Sequence, residues 1–159
     1  MNLSQFIKLQ GSLLLTFLLF TSCIKNSVYE QQVSIANNSW DVHQRLSFEI
    51  PVKDTLSTNN LIINIRNTQD YPFQNIFLFI ETLDPRGQSL KDTLDCPLAD
   101  NEGKWLGSGL GSHYQTEFIF KRNVRFPHSG TYTIVVEQGM RKEELEGISD
   151  LGIRVDKVR

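Results

Sequence analysis

The chain has 159 residues, with 16 basic and 18 acidic side chains and a formal net charge of −2, and both signs are mixed along its length. No basic stripe of the kind that nucleic-acid binding needs is present, so nucleic acid is excluded as a partner. Hydrophobic residues make up 40% of the chain and there are only two cysteines, which suits one packed core and rules out a disulfide-built scaffold.

The first element is a leader. Lys8 supplies a positive charge, Gly11-Ser12-Leu13-Leu14-Leu15-Thr16-Phe17-Leu18-Leu19-Phe20 an uncharged apolar block, and Thr21-Ser22-Cys23 follows at once. A run this short does not cross a bilayer, since a spanning helix needs about 20 apolar residues. Its order is that of a secretory signal, and the cysteine after the small residues resembles a bacterial lipobox, with Phe20 where leucine is usual. That resemblance implies cleavage before Cys23, a diacylglycerol on its thiol and an acylated new amino terminus. Several acyl chains on one residue give lasting membrane attachment, where a single chain gives only marginal binding. The competing reading is an ordinary signal with an incidental cysteine. With Cys23 acylated, Cys96 has no disulfide partner. The expected organisation is a cleaved signal over 1–22, a polar lipid-anchored tether over 23–39 and one domain over 40–159.

From Trp40 onward the pattern is that of strands. Leu46, Phe48 and Ile50 alternate with Ser47 and Glu49, and Leu61, Ile63 and Ile65 share one face of the next segment. Ile76-Phe77-Leu78-Phe79-Ile80 is apolar on both faces, which predicts a central strand covered on each side. Asp84-Pro85-Arg86-Gly87 predicts a tight turn into a strand over 89–94. Gly107-Ser108-Gly109-Leu110-Gly111 lacks the Walker lysine and reads as a mobile loop beside Trp105. Tyr114, Thr116, Phe118 and Phe120, then Tyr132, Ile134 and Val136, alternate again, and Leu151, Ile153 and Val155 close the chain. Residues 140–145 form the one plausible helix, a short one. The whole predicts an all-β protein, a single antiparallel β-sandwich of immunoglobulin-like or jelly-roll-like type.

Little in the sequence points to catalysis. His43, His113 and His128 share no metal-ligand spacing, and no G-x-S-x-G elbow occurs. Asp92, Asp95, Asp100 and Glu102 do not match a calcium loop, and whether they form a glycosidase pair depends on separation in space. The aromatic features are more telling. Trp40 and Trp105 lie in polar contexts near strand ends, where an indole either plugs the sandwich or stacks on a partner. Arg66-Asn67-Thr68-Gln69-Asp70-Tyr71-Pro72-Phe73-Gln74-Asn75 is a polar, aromatic connection that serves packing, recognition or both. Trp40, Arg66, Tyr71, Phe73 and Trp105 are therefore the candidate partner-binding residues, and Cys23 the lipid-attachment residue.

Three blocks resemble one family. Arg66-Asn67 with Tyr71-Pro72-Phe73-Gln74-Asn75 running into Ile76-Phe77-Leu78-Phe79-Ile80, then Gly103-Lys104-Trp105-Leu106-Gly107-Ser108-Gly109, are similar to the GldH gliding-motility lipoproteins of the Bacteroidetes. So is Gln138-Gly139-Met140-Arg141 followed by Leu145-Glu146-Gly147-Ile148-Ser149-Asp150-Leu151-Gly152-Ile153-Arg154-Val155. Phe73 and Leu151 stand where Tyr and Val would be equally at home. The resemblance implies a membrane-anchored accessory subunit of the gliding machinery, working alongside type IX secretion with other envelope proteins as partners. It implies no enzymatic activity, cofactor or catalytic residue. In lipoproteins of that phylum, surface export often goes with acids just after the acylated cysteine. Here the first acid is Glu30 and Lys25 is basic, so the resemblance implies a periplasm-facing position at the outer membrane. The alternative function is carbohydrate binding, with Trp40, Trp105 and Tyr71 as stacking platforms; a metal-dependent hydrolase comes third.

Overall fold

A computed structural model describes residues 26–158, so the leader and Cys23 lie outside the described residues. The strands are β1 (Ser27–Ser34), β2 (Ser39–Asp41), β3 (Leu46–Val52), β4 (Asn59–Thr68), β5 (Asn75–Leu83) and β6 (Ser89–Pro97). They continue with β7 (Ser108–Leu110), β8 (His113–Val124), β9 (Gly130–Gln138), β10 (Glu144–Glu146) and β11 (Ile148–Lys157). A single 3-10 turn, Ala36–Asn38, links β1 to β2. One sheet has the order β1-β11-β4-β8-β7, a second β3-β9-β5-β6, and β10 pairs with β2 in a short ribbon. All pairings are antiparallel.

Period-two patterning decides which side of each strand turns inward, because successive side chains leave an extended chain on opposite faces. In β3 Leu46, Phe48, Ile50 and Val52 are buried while Ser47, Glu49 and Pro51 are exposed. Ile76, Leu78 and Ile80 of β5 and Ile134 and Val136 of β9 complete that inner face. Opposite them lie Leu61, Ile63 and Ile65 of β4 and Leu151, Ile153 and Val155 of β11, all in one continuous core. The expected β-sandwich is what forms.

The sandwich has two ends. At the near end β1 begins, with Ser27 opposite Asp156, and the connections 53–58, 84–88 and 125–129 gather there. At the far end lie the connections 35–45, 69–74, 98–107 and 139–147. Asp84 shapes the expected β5–β6 turn by accepting from the backbone N–H of Arg86 at 2.9 Å and of Gln88 at 2.8 Å.

Four local expectations are corrected. Residues 27–34 of the supposed tether form β1, an edge strand paired along β11, with Tyr29 and Val33 packed against the core. Residues 140–145 are not helical: the chain turns and then extends as β10, because Leu145 is fully buried between exposed Glu144 and Glu146. The glycine-rich stretch holds β7, hairpinned onto β8; a Cβ on Gly109 would lie 2.1 Å from the His113 carbonyl oxygen, so only glycine permits that approach. Finally, β5 is covered on one face only, leaving Phe77 39% and Phe79 50% exposed.

Candidate interaction site

Two surfaces carry the aromatic residues singled out above. The first is at the far end, where β4 passes into β5. Thr68 donates its N–H to the Gly147 carbonyl at 2.8 Å, and Tyr71 N–H reaches back to the Thr68 carbonyl at 3.4 Å. This folds Tyr71 onto Gly147, whose φ of +86° and whose 2.5 Å distance from an added Cβ to the Tyr71 backbone leave no room for another residue. The Tyr71 hydroxyl donates to the Asn75 carbonyl at 2.8 Å. Its ring meets Phe73 edge-on at 5.8 Å and Trp105 at 6.5 Å, and Trp105 stacks on Tyr114 at 5.7 Å.

Trp105 is held there by backbone pairing: it bridges to Ala99, and Leu106 N–H donates to the Leu98 carbonyl at 2.9 Å. Asp100 organises the intervening turn, accepting from the N–H groups of Glu102 and Lys104 at 3.0 and 2.9 Å. Phe73, Trp105 and Tyr114 stay half-buried. Burial pushes the Tyr71 phenol above its ordinary range, and the nearby Cys96 thiol up to about 12.

Three of the five candidates therefore converge: Tyr71, Phe73 and Trp105. Trp40 does not join them. It is wholly buried opposite Leu145 in the β2–β10 ribbon, with its indole N–H donating to the Gln44 carbonyl at 3.0 Å. It is a core plug. Arg66 lies on β4 beside Asp150 at 3.8 Å and takes no part in the ring cluster. Tyr114 does join it. Its alternating strand pattern concealed this, because the β7–β8 hairpin that sets Gly109 opposite Tyr114 was not legible in the glycine-rich stretch.

The second surface is the outer face of the four-stranded sheet. Phe79 lies between Val135 and Glu137 on one side and Lys91 and Thr93 on the other, lining a groove of about 400 Å³. Arg45 spans its rim, 2.6 Å from Glu137 and 3.1 Å from Glu81. Phe77 is flanked by Met140, whose sulfur accepts the Phe77 N–H at 3.4 Å. Among the described residues no three His, Cys, Asp or Glu side chains gather into a metal-binding group.

A model of the GldH lipoprotein family matches residues 27–155, from the first residue of β1 into β11. The chain belongs to the GldH lipoprotein family. It is 38% identical over 149 residues to the gliding motility lipoprotein GldH homolog of Christiangramia forsetii, covering 89% of this chain and 91% of that one. It is 32% identical over 158 residues to the gliding motility lipoprotein GldH of Flavobacterium johnsoniae, covering 95% and 98% respectively. The family match thus includes β1, consistent with its place in the fold. Among solved structures, a family GH115 4-O-methyl-alpha-glucuronidase overlaps 87% of this chain and 18% of its own at 10% identity and a TM-score of 0.39. A family 16 carbohydrate-binding module overlaps 76% and 74% at 10% identity and a TM-score of 0.29. Overlaps of that quality say nothing about what this GldH-family domain binds.

Proposed function

We propose that this GldH-family chain is a lipid-anchored assembly subunit of the gliding machinery, with no reaction of its own. In this reading Cys23 carries the lipid, and the domain faces the periplasm from the outer membrane. It holds other envelope proteins together there, alongside the type IX secretion apparatus. One observation carries the reading: β5 is apolar on both faces, yet Phe77 and Phe79 on its outer face are only partly covered, at 39% and 50% exposed. Two neighbouring exposed phenylalanines on the outer sheet face, bordered by Arg45, Lys91, Glu81 and Glu137, form the apolar centre and charged border of a protein–protein contact. The occupant proposed is an envelope protein presenting an apolar patch of its own.

The test is Phe77→Ser with Phe79→Ser. Stability should change little, because neither ring is in the core, while co-purification of envelope partners and colony spreading should be lost together. Unchanged partners and spreading would refute the reading. Protease shaving of intact cells tests the orientation, since a periplasm-facing domain survives until lysis. Sugar stacking finds less support: Trp40 is interior and the Tyr71 ring is buried with its hydroxyl engaged, leaving Trp105 alone of the three proposed platforms.

A further inference from the structure

We infer that the near end of the sandwich is a lipid-facing platform that rests on anionic phospholipid headgroups; this builds on the reading of Cys23 as the anchor. The argument starts from β1. The first described strand begins at Ser27, only four residue steps from Cys23. At about 3.3–3.6 Å per extended residue, that segment reaches about 14 Å at most. The strands of ten residues or so are about 30 Å long, so the near end lies against the membrane and the far end points away.

The near end is built for that neighbour. Lys53, Arg86, Arg122 and Arg125 are all exposed, and none forms an ion pair with a carboxylate among the described residues. The acids there are already occupied. Asp54 accepts from Ser57 and is 3.0 Å from Lys157, Asp84 caps its own turn, and Asp156 pairs with Arg154 at 3.1 Å. Asp54 also accepts the N–H groups of Leu56 and Ser57 at 2.9 and 3.0 Å, which fixes the turn that presents Leu56. Leu56 is 82% exposed, and Val28, at the start of β1, is 62% exposed. Fixed apolar side chains among unpaired cations are what an interfacial contact requires: the apolar groups enter the headgroup boundary and the cations meet phosphate. The far end has the opposite balance, with Asp41, Asp70, Asp100, Glu102, Glu143, Glu144 and Glu146 against Arg45, Lys104, Arg141 and Lys142. An anionic surface therefore attracts one end and repels the other.

The experiment uses the mature chain, residues 23–159, carrying Cys23→Ser so that no lipid holds it. Sedimentation with vesicles of phosphatidylcholine, with and without phosphatidylglycerol, reads the face alone. Binding should need phosphatidylglycerol and should fall with added salt. Arg86→Gln, Arg122→Gln and Arg125→Gln together should weaken it on the order of a hundredfold, at about fivefold per charge. Leu56→Asp should weaken it too, whereas Arg141→Gln with Lys142→Gln should not. All six positions are exposed, and unchanged thermal unfolding verifies the fold of each variant. Binding indifferent to phosphatidylglycerol, equal loss from the far-end pair, or binding to lipopolysaccharide alone would overturn the proposal. None of these outcomes depends on acylation, which mass spectrometry of Cys23 in the native protein decides separately.

Discussion

Truncating Trp40 would empty a site with no solvent exposure and leave the Gln44 carbonyl without its indole donor. Loss of a buried indole costs about 3–5 kcal/mol, so Trp40→Ala should bring the domain close to unfolding, as urea titration will show. Trp105→Ala should cost much less, because that ring is only half-buried. Cys96 and Tyr71 set a second expectation. The folded protein keeps the Cys96 thiol neutral to about 12, against an ordinary value of 9.0. Across that interval the unfolded chain releases a proton that the folded chain retains. Stability is therefore intact below pH 9 and falls as pH rises toward 12, by up to about 1.4 kcal/mol per pH unit. Tyr71, also raised by burial, acts in the same direction from near 10 upward. Cys96→Ala should make the alkaline decline shallower in denaturant titrations at stepped pH. The native thiol should also resist alkylation until the domain is unfolded.

Among the elements, β1 decides where the domain starts. A chain begun at residue 40 would leave β11 as an unpaired edge stripped of Tyr29 and Val33, and it should aggregate. A chain begun at residue 26 should be monodisperse by size-exclusion chromatography. The contrast shows what was legible. Strands with one wet and one dry face, such as β3 and β9, announce themselves by alternation, and the Asp84 turn by its residue types. Edge strand β1 does not, because half-buried Tyr29 and Val33 are its only inward contacts and Gln31 between them is polar. β10 is too short, at 3 residues, to show any period, so Met140 and Leu145 suggested a helix instead. β5 misled for a different reason. An apolar outer face reads the same in sequence whether the chain itself or another protein covers it. The ring cluster was half legible for a related reason: the aromatic types of Tyr71, Phe73 and Trp105 were visible, but a sequence carries no sign that Trp40 points inward or that Tyr114 stacks on Trp105.

For the molecule as a whole, one core joins both sheets, so the domain should unfold in a single transition. Far-ultraviolet dichroism and tryptophan fluorescence should coincide, although Trp40 and Trp105 report from different surroundings. Refolding should be slow, in milliseconds to seconds, because β11 pairs with β1 and β4 across most of the chain; stopped-flow relaxation measures it.

The β1–β11 pairing has a mechanical side. Any pull between a lipid at the amino terminus and a load on the far half of the domain runs along β1, parallel to the strand axis. Ladder bonds between Ser27 and Ser34 lie across that line, so tension loads them together in shear instead of peeling them one by one. Under the anchoring proposed at Cys23, β1 is the first described strand such a load would reach.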